Sequence, residues 1–316
     1  MALGNNAVVE QPVKLDRQRS RFYDGGVLPV GDRIGLPPDR AHDPRIVLER
    51  HLESGLEVFS LERRIAYDDR HFGEIVVPPV FATFKTDLTS VPALFTWLVP
   101  KTGAHLPAAL LHDGLIWSPG KEAQTYISTA GKVVDRVEAD RVFRDGMADT
   151  GTGLVRRWLV WTAVTLATMW SQQATASSPI GRAYFRWVMV ASVFAVAWLG
   201  YVATADLFDQ TDDWWLTYEL SWMGDRSFAA ELTAGIAAAI VIPGVIGLLW
   251  GKFRVAGWIA GIGVAVLIHV TVGVLAVTAL YAALEWVAGR LSATWLAIVA
   301  ALIAVAAVVA FLVSLL

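Results

Sequence analysis

The chain has 316 residues, of which 55% are hydrophobic and only 17% charged, with a mean hydropathy of +0.49. Ordinary soluble domains hold roughly 45 to 50% apolar and about 25% charged residues, so the composition argues against a wholly soluble protein. The net charge of −3 leaves no surplus of cations for a phosphate backbone, which makes nucleic acid an unexpected partner. With no cysteine, disulfides, thiolate metal sites and a cysteine nucleophile are all excluded.

The charge is also unevenly distributed. Before Trp187 there are 22 Lys+Arg and 21 Asp+Glu; from Trp187 onward there are 4 and 8. So sharp a step predicts two solvents, water for the first part and lipid for the second.

Residues 1–45 mix basic residues with Pro and Gly and keep no period, which predicts a disordered tail or linker. They contain no apolar core of a secretory signal, so the front of the chain is expected to stay in the cytoplasm. Residues 46–170 are expected to form an α+β domain, a small sheet followed by helices. The segments LeuGluValPheSerLeuGlu from Leu56 and GluIleValValProProValPhe from Glu74 have strand composition and flank the turn-prone AspAspArgHisPheGly. Helices are predicted from Pro107 to Trp117, from Val137 to Ala148, and from Leu154 to Trp170. The last is apolar nearly all round after Arg156 and Arg157. It is too short to span a bilayer and is expected to close the soluble domain on its membrane side.

Residues 171–183 are rich in Ser, Ala and Thr at their start and are predicted to be a hinge. The membrane domain, 184–316, is expected to be all-α, with four transmembrane helices at about 187–205, 232–250, 255–284 and 291–316. Each uncharged run is long enough to cross about 30 Å of hydrocarbon. Arg182, Arg186, Lys252 and Arg254 flank the first three spans on one side. The loop between the first two carries Asp206, Asp209, Asp212, Asp213, Glu219 and Asp225. Cytoplasmic loops favour Lys and Arg, so the protein is expected in the inner (cytoplasmic) membrane with both termini and the soluble domain inside. In the acidic loop, Trp214, Trp215, Tyr218 and Trp222 have the spacing of one helix face, either an aromatic belt or a docking surface. His269 falls mid-span, where an ionisable group is costly and is either functional or bonded to a neighbouring helix. Gly257 and Gly261 permit close helix contact.

Three polar clusters stand out in the soluble part: AspLeuThrSerValPro (Asp87 to Pro92), LeuHisAspGlyLeuIleTrp (Leu111 to Trp117) and AlaAspArgValPheArgAspGlyMet (Ala139 to Met147). With the preceding ValProProValPheAlaThrPheLysThrAsp, they resemble the family known as domain of unknown function 1353, found in phages and bacteria. Its pattern runs from a strand through VP-x-GF-x-TD-[LA]-[AT]-S-[VI]-P, a helix with HD-x-LY and a helix with AD-x-x-F to a final apolar helix. The resemblance covers about Leu56 to Trp170. The usual glycine is missing between Phe81 and Phe84, and Trp117 stands where Tyr is common. What the resemblance implies is a fold neighbourhood and a possible phage origin, without an activity.

Ser90, ahead of ValPro, fits a helix N-cap. Asp87 could bind backbone donors or face His112. His112 and Asp113 sit where an apolar helix face meets a polar one, and suit a divalent-metal ligand pair, a general base, or a structural knot in which His112 bonds Asp87 or Asp140. Asp140 could instead pair with Arg136 and Arg144 one turn away. The set His112, Asp113 and Asp140, with His71 or His105 upstream, also resembles in outline the ligand order of HD-type metal phosphohydrolases, although strands over Leu56 to Phe84 do not suit that all-helical fold. The candidate catalytic residues are therefore Asp87, His112, Asp113 and Asp140, and the candidate metal ligands are His112, Asp113 and Asp140. Three functions fit: a membrane-held interaction or scaffold module with a protein partner or a second copy of the chain, a metal-dependent hydrolase, and a small channel or holin-like pore.

Overall fold

Strands β1 (Phe22–Asp24), β4 (Ile65–Asp69), β5 (Gly73–Val77) and β6 (Ile127–Ser128) form an antiparallel sheet in the order β1-β4-β5-β6. A second sheet is the hairpin of β2 (Leu48–Glu53) and β3 (Leu56–Leu61). The structure is a computed structural model and describes residues 21–27, 35–53, 55–82, 84–88, 102–116, 125–171, 179–211 and 217–290.

Alternation along the strands decides which side is core. Phe22, Ile65, Tyr67, Ile75 and Val77 face helices α1 (Leu106–Ile116), α2 (Arg136–Asp149) and α3 (Leu154–Trp170), and join one cluster with Leu110, Leu111, Val142, Phe143, Met147 and Val160. The β4–β5 turn is tied by the Asp69 carboxylate, which accepts from the amides of His71 (2.8 Å) and Phe72 (3.1 Å). Gly73 closes it at φ +64°, where a Cβ would lie 2.6 Å from Thr129 Oγ1. Asp135 caps α2 by accepting from the Glu138 amide at 2.8 Å.

The expected tail over 1–45 needs correction at Phe22–Asp24. Phe22–Asp24 is a strand, Phe22 lies opposite Tyr67 with ring centroids 4.5 Å apart, and Asp24 bridges to Asp39. Three residues carry no periodicity, so only the pairing with β4 reveals this strand. β2 is also unannounced, because LeuGluArgHisLeuGlu is mostly charged and mostly exposed.

Helix α4 runs over Pro179–Leu207 and therefore takes in the last residues of the expected hinge. Helix α5 (Phe228–Gly247) is followed by a 3-10 segment, Leu248–Phe253, and α6 (Arg254–Ala288). Two helical stretches, Pro179–Leu207 and Phe228–Leu267, are long and apolar enough to cross a membrane. The first three expected spans fall on α4, α5 and α6; the fourth, 291–316, lies outside the described residues, as does the side chain of His269.

The described residues group into two compact units. One comprises Met1–Val196 with Ile236–Ile262, the other Ala197–Gly235 with Gly263–Leu316. The division cuts through the apolar helices and does not follow the hinge. In the first unit the chain reverses between α5 and α6 with Gly251 at φ +55°. A Cβ on Gly257 would come within 2.6 Å of Trp250, and one on Gly261 within 2.5 Å of Pro243, so the small pair does permit close approach. Trp250 donates its indole N–H to Ser192 of α4 at 3.1 Å.

In the second unit, Val202, Leu220 and Met223 cluster, and Asp206 accepts from the Leu220 amide at 2.9 Å. Here the expected aromatic helix face is corrected. Tyr218 and Trp222 lie in non-helical chain, and Trp214 and Trp215 lie outside the described residues.

Candidate functional site

Helix α1 places three consecutive residues on three different neighbours. Successive side chains on a helix diverge by about 100°, so His112, Asp113 and Gly114 cannot share one target. Gly114 lies against β5, where a Cβ would sit 2.3 Å from Val77 Cγ1. Any side chain there would push the helix off the sheet.

His112 turns to α2. Its Nε2–H donates to Asp140 Oδ1 at 2.8 Å, and both side chains are buried. The imidazole stacks on Phe143, with centroids 4.8 Å apart and planes 24° apart. Phe143 is three residues after Asp140 and hence on the same helix face. Asp140 Oδ2 is buried with no hydrogen-bond partner among the described residues. Of the alternatives for His112, Asp140 is therefore its partner. The helical pairs expected for Asp140 do not form: Arg144 bonds Asp145 (3.0 Å), and Arg136 reaches Thr168 Oγ1 at 3.2 Å.

Asp113 turns to the loop after β5. It accepts a short hydrogen bond from Thr86 Oγ1, and Thr86 Oγ1 in turn accepts from the Leu88 amide at 2.8 Å. Thr86 is buried and held by reciprocal backbone bonds to Phe59 of β3, at 2.8 and 2.9 Å. Leu88 has φ +71°, a left-handed conformation that an apolar side chain rarely adopts. The Asp113 carboxyl is pushed up to about 7, chiefly by burial and to a smaller extent by the nearby Asp87 charge, with the Thr86 bond opposing the rise. Asp87 itself is exposed. Ser90 lies outside the described residues, so its proposed cap does too.

The candidates thus separate into a closed pair, His112–Asp140, and an outer set, Thr86, Asp87 and Asp113. Among the described residues, no three His, Asp or Glu side chains form a group that could hold a metal ion. His71 sits on the turn, with Nδ1 3.5 Å from Glu138, and His105 is buried at the start of α1.

Sequence reasoning passed over Thr86 and Phe143, although both lie inside the quoted motifs; hydroxyl and ring become informative only once their partners are known. It also missed Arg141, whose guanidinium grips both Asp69 oxygens at 2.9 Å and reaches Glu138 at 2.6 Å. Burial pushes the Asp69 carboxyl up, but the Arg141 bonds and the two turn amides outweigh it and hold the carboxyl below its ordinary value. Tyr67 donates to Asp149 Oδ2 at 2.7 Å, and its phenol is raised by burial and by that carboxylate. These bonds join the sheet to α2 around the core, and Asp87 is the exposed member of the outer set.

Residues 59–164 match the family described as "Protein of unknown function (DUF1353)", from the middle of β3 into α3. No curated protein and no solved structure matches the chain.

Proposed function

We propose that this is a membrane-anchored protein whose soluble domain, held at the cytoplasmic face, serves as an interaction module. The observation that carries the module role is the burial of His112–Asp140: the most chemically suggestive pair in the sequence is stacked on Phe143 inside the core, where it joins α1 to α2. Anchoring is supported by the two long apolar stretches, whose outward residues include Trp187 (73% exposed), Phe194 (68%), Val241 (61%) and Val245 (62%). An apolar surface of that extent is costly in water and ordinary in lipid.

Four spans follow from the uncharged apolar runs, and the placement of both termini inside from the loop charges. Reporter fusions after Ser178 and after Gly251 should read cytoplasmic, and one at Asp213 should read outside. A cytoplasmic reading at Asp213 overturns the topology. The module role predicts that crosslinking in native membranes yields a complex of defined stoichiometry, and that the purified chain turns over no ester or phosphoester.

A second role is favoured by one feature, the outer set. A carboxyl titrating near 7 beside a hydroxyl and a second carboxylate suits general acid–base chemistry at neutral pH, and Asp113 or Asp87 could share a divalent cation with a substrate. The test is a panel of activated phosphate and acyl esters with the full chain in detergent, with and without Mg2+, Mn2+ or Zn2+. Turnover abolished by D113N and retained by H112Q would replace the module with a hydrolase.

A further inference from the structure

We propose that α3 is an in-plane membrane helix: its outer side is embedded in the cytoplasmic leaflet, so the soluble domain lies flat on the bilayer and does not swing on a tether. The proposal rests on the membrane anchoring above and is independent of the choice between module and hydrolase.

Helix α3 is built inside out. Its inward positions include Thr162, Thr165 and Thr168, all buried, and the hydroxyls of Thr162 and Thr165 have no hydrogen-bond partner among the described residues. Apart from Arg156, its exposed positions are apolar. Val155, Ala163 and Ala167 are exposed, with the half-buried Leu159 between them in the same four-residue spacing and Trp170 following; Val155 is 72% exposed and Trp170 54%, with Leu154 next to Val155 at 63%. A water-facing helix has the opposite arrangement. Seventeen residues give a length of about 25 Å, with two arginines in the first turn, so α3 does not itself cross a bilayer.

Two observations select lipid over a protein as the occupant. The first is continuity. Met169 and Leu166 of α3 join one cluster with Phe185, Val188 and Met189 of α4 and with Trp250 and Phe253, so the C-terminal end of α3 is packed on the base of the apolar helices. Arg186, about two turns into α4, donates to the Trp170 carbonyl at 3.0 and 2.8 Å, which ties the end of α3 to α4. The second is charge. Arg156, exposed, and Arg157, half-buried, lie at one end of α3, and Arg186, Lys252 and Arg254 stand at the other. A helix lying in the headgroup plane is favoured by nearby cations, which attract anionic lipid, and by aromatic rings such as Trp170 at the interface.

The chain has no cysteine, so a single nitroxide can be placed anywhere. The experiment uses the full chain in phosphatidylcholine–phosphatidylglycerol nanodiscs, with labels at A163C and A167C on the outer side of α3. V241C on α5 serves as the lipid reference and E49C on β2 as the water reference. Collision with oxygen, which partitions into lipid, is compared with collision with a water-soluble nickel chelate. The two α3 labels should give an oxygen-to-nickel ratio several-fold above E49C and a depth shallower than V241C. Melting temperatures equal to the unlabelled chain confirm that each variant is folded, and the two sites guard against one failing. Water-like values at both sites with a lipid-like V241C overturn the proposal and leave the anchor standing. Low collision with both reagents shows a protein cover and also overturns it. A water-like V241C removes the anchoring and the proposal together.

Discussion

Helices α2 and α3 are neighbours in sequence and share a core, yet they are patterned in opposite senses. α2 buries Ala139, Val142, Phe143 and Met147 and presents Glu138, Arg141 and Asp145 to an ion-pair network at its edge. Its one deeply buried carboxylate, Asp140, has a partner in His112. α3 buries Thr162, Thr165 and Thr168 beside Val160 and Met169 and, apart from Arg156, presents Val155, Ala163, Ala167 and Trp170 outward. A polar group is worth burying when it is paired, as in α2; in α3 two hydroxyls are buried unpaired while apolar surface is left out. On the proposal that α3 lies in the bilayer, that inversion reflects a change of solvent between the two helices.

The contrast can be broken most severely at α2. His112→Ala leaves the Asp140 carboxylate buried with no partner at either oxygen, and should cost about 3 to 5 kcal/mol, read as a large fall in melting temperature of the full chain in detergent. A melt within a degree of the parent would mean that the pair joins nothing.

The next largest effect is in pH dependence. The folded Asp113 carboxyl titrates at about 7, above the roughly 3.9 of an unfolded aspartate, so the folded state holds more protons and stability falls as pH rises through that window. Asp69 has the opposite sign: its carboxyl is held low, so the stability it supplies is lost only as pH falls toward its folded value. Melting temperature should therefore decline from about pH 4 to 7, and D113N should flatten that decline. An unchanged slope in D113N would place the raised carboxyl elsewhere.

A smaller effect is expected in α3. Thr165→Val replaces a buried, unpartnered hydroxyl with a methyl of the same shape and should raise stability by about 1 kcal/mol; destabilisation would show that the hydroxyl is paired. The smallest belongs to the water-facing hairpin. Arg50 and Glu57 are 2.5 Å apart but well exposed, and Glu57→Gln should change stability by about 0.5 kcal/mol or less.

Some elements could be read directly. The predicted Leu154–Trp170 helix has the same bounds in the structure, and the other two soluble helices agree within about two residues, because hydrophobic periodicity is a local property of the chain. For the candidate site, sequence order brought out His112, Asp113 and Asp140 but not their sorting. Thr86, which holds Asp113, and Phe143, which stacks on His112, carry no signal of their own, since a threonine or a phenylalanine inside a motif is as compatible with simple core packing.

The division between what was local and what was not has one physical cause. Composition and spacing determined the long apolar stretches, the helices and the short list of polar residues, since each depends on neighbours within a turn or two. Tertiary structure alone decided the rest: that Phe22–Asp24 is a strand, that His112 meets Asp140 and not Asp87, that Gly114 is pressed on Val77, and which side of α3 faces out. Each of these is a contact between segments tens of residues apart, set by sheet register and by the angle at which helices cross. A one-residue shift on a helix turns a side chain by about 100°, so the same residues in the same order could have met different partners.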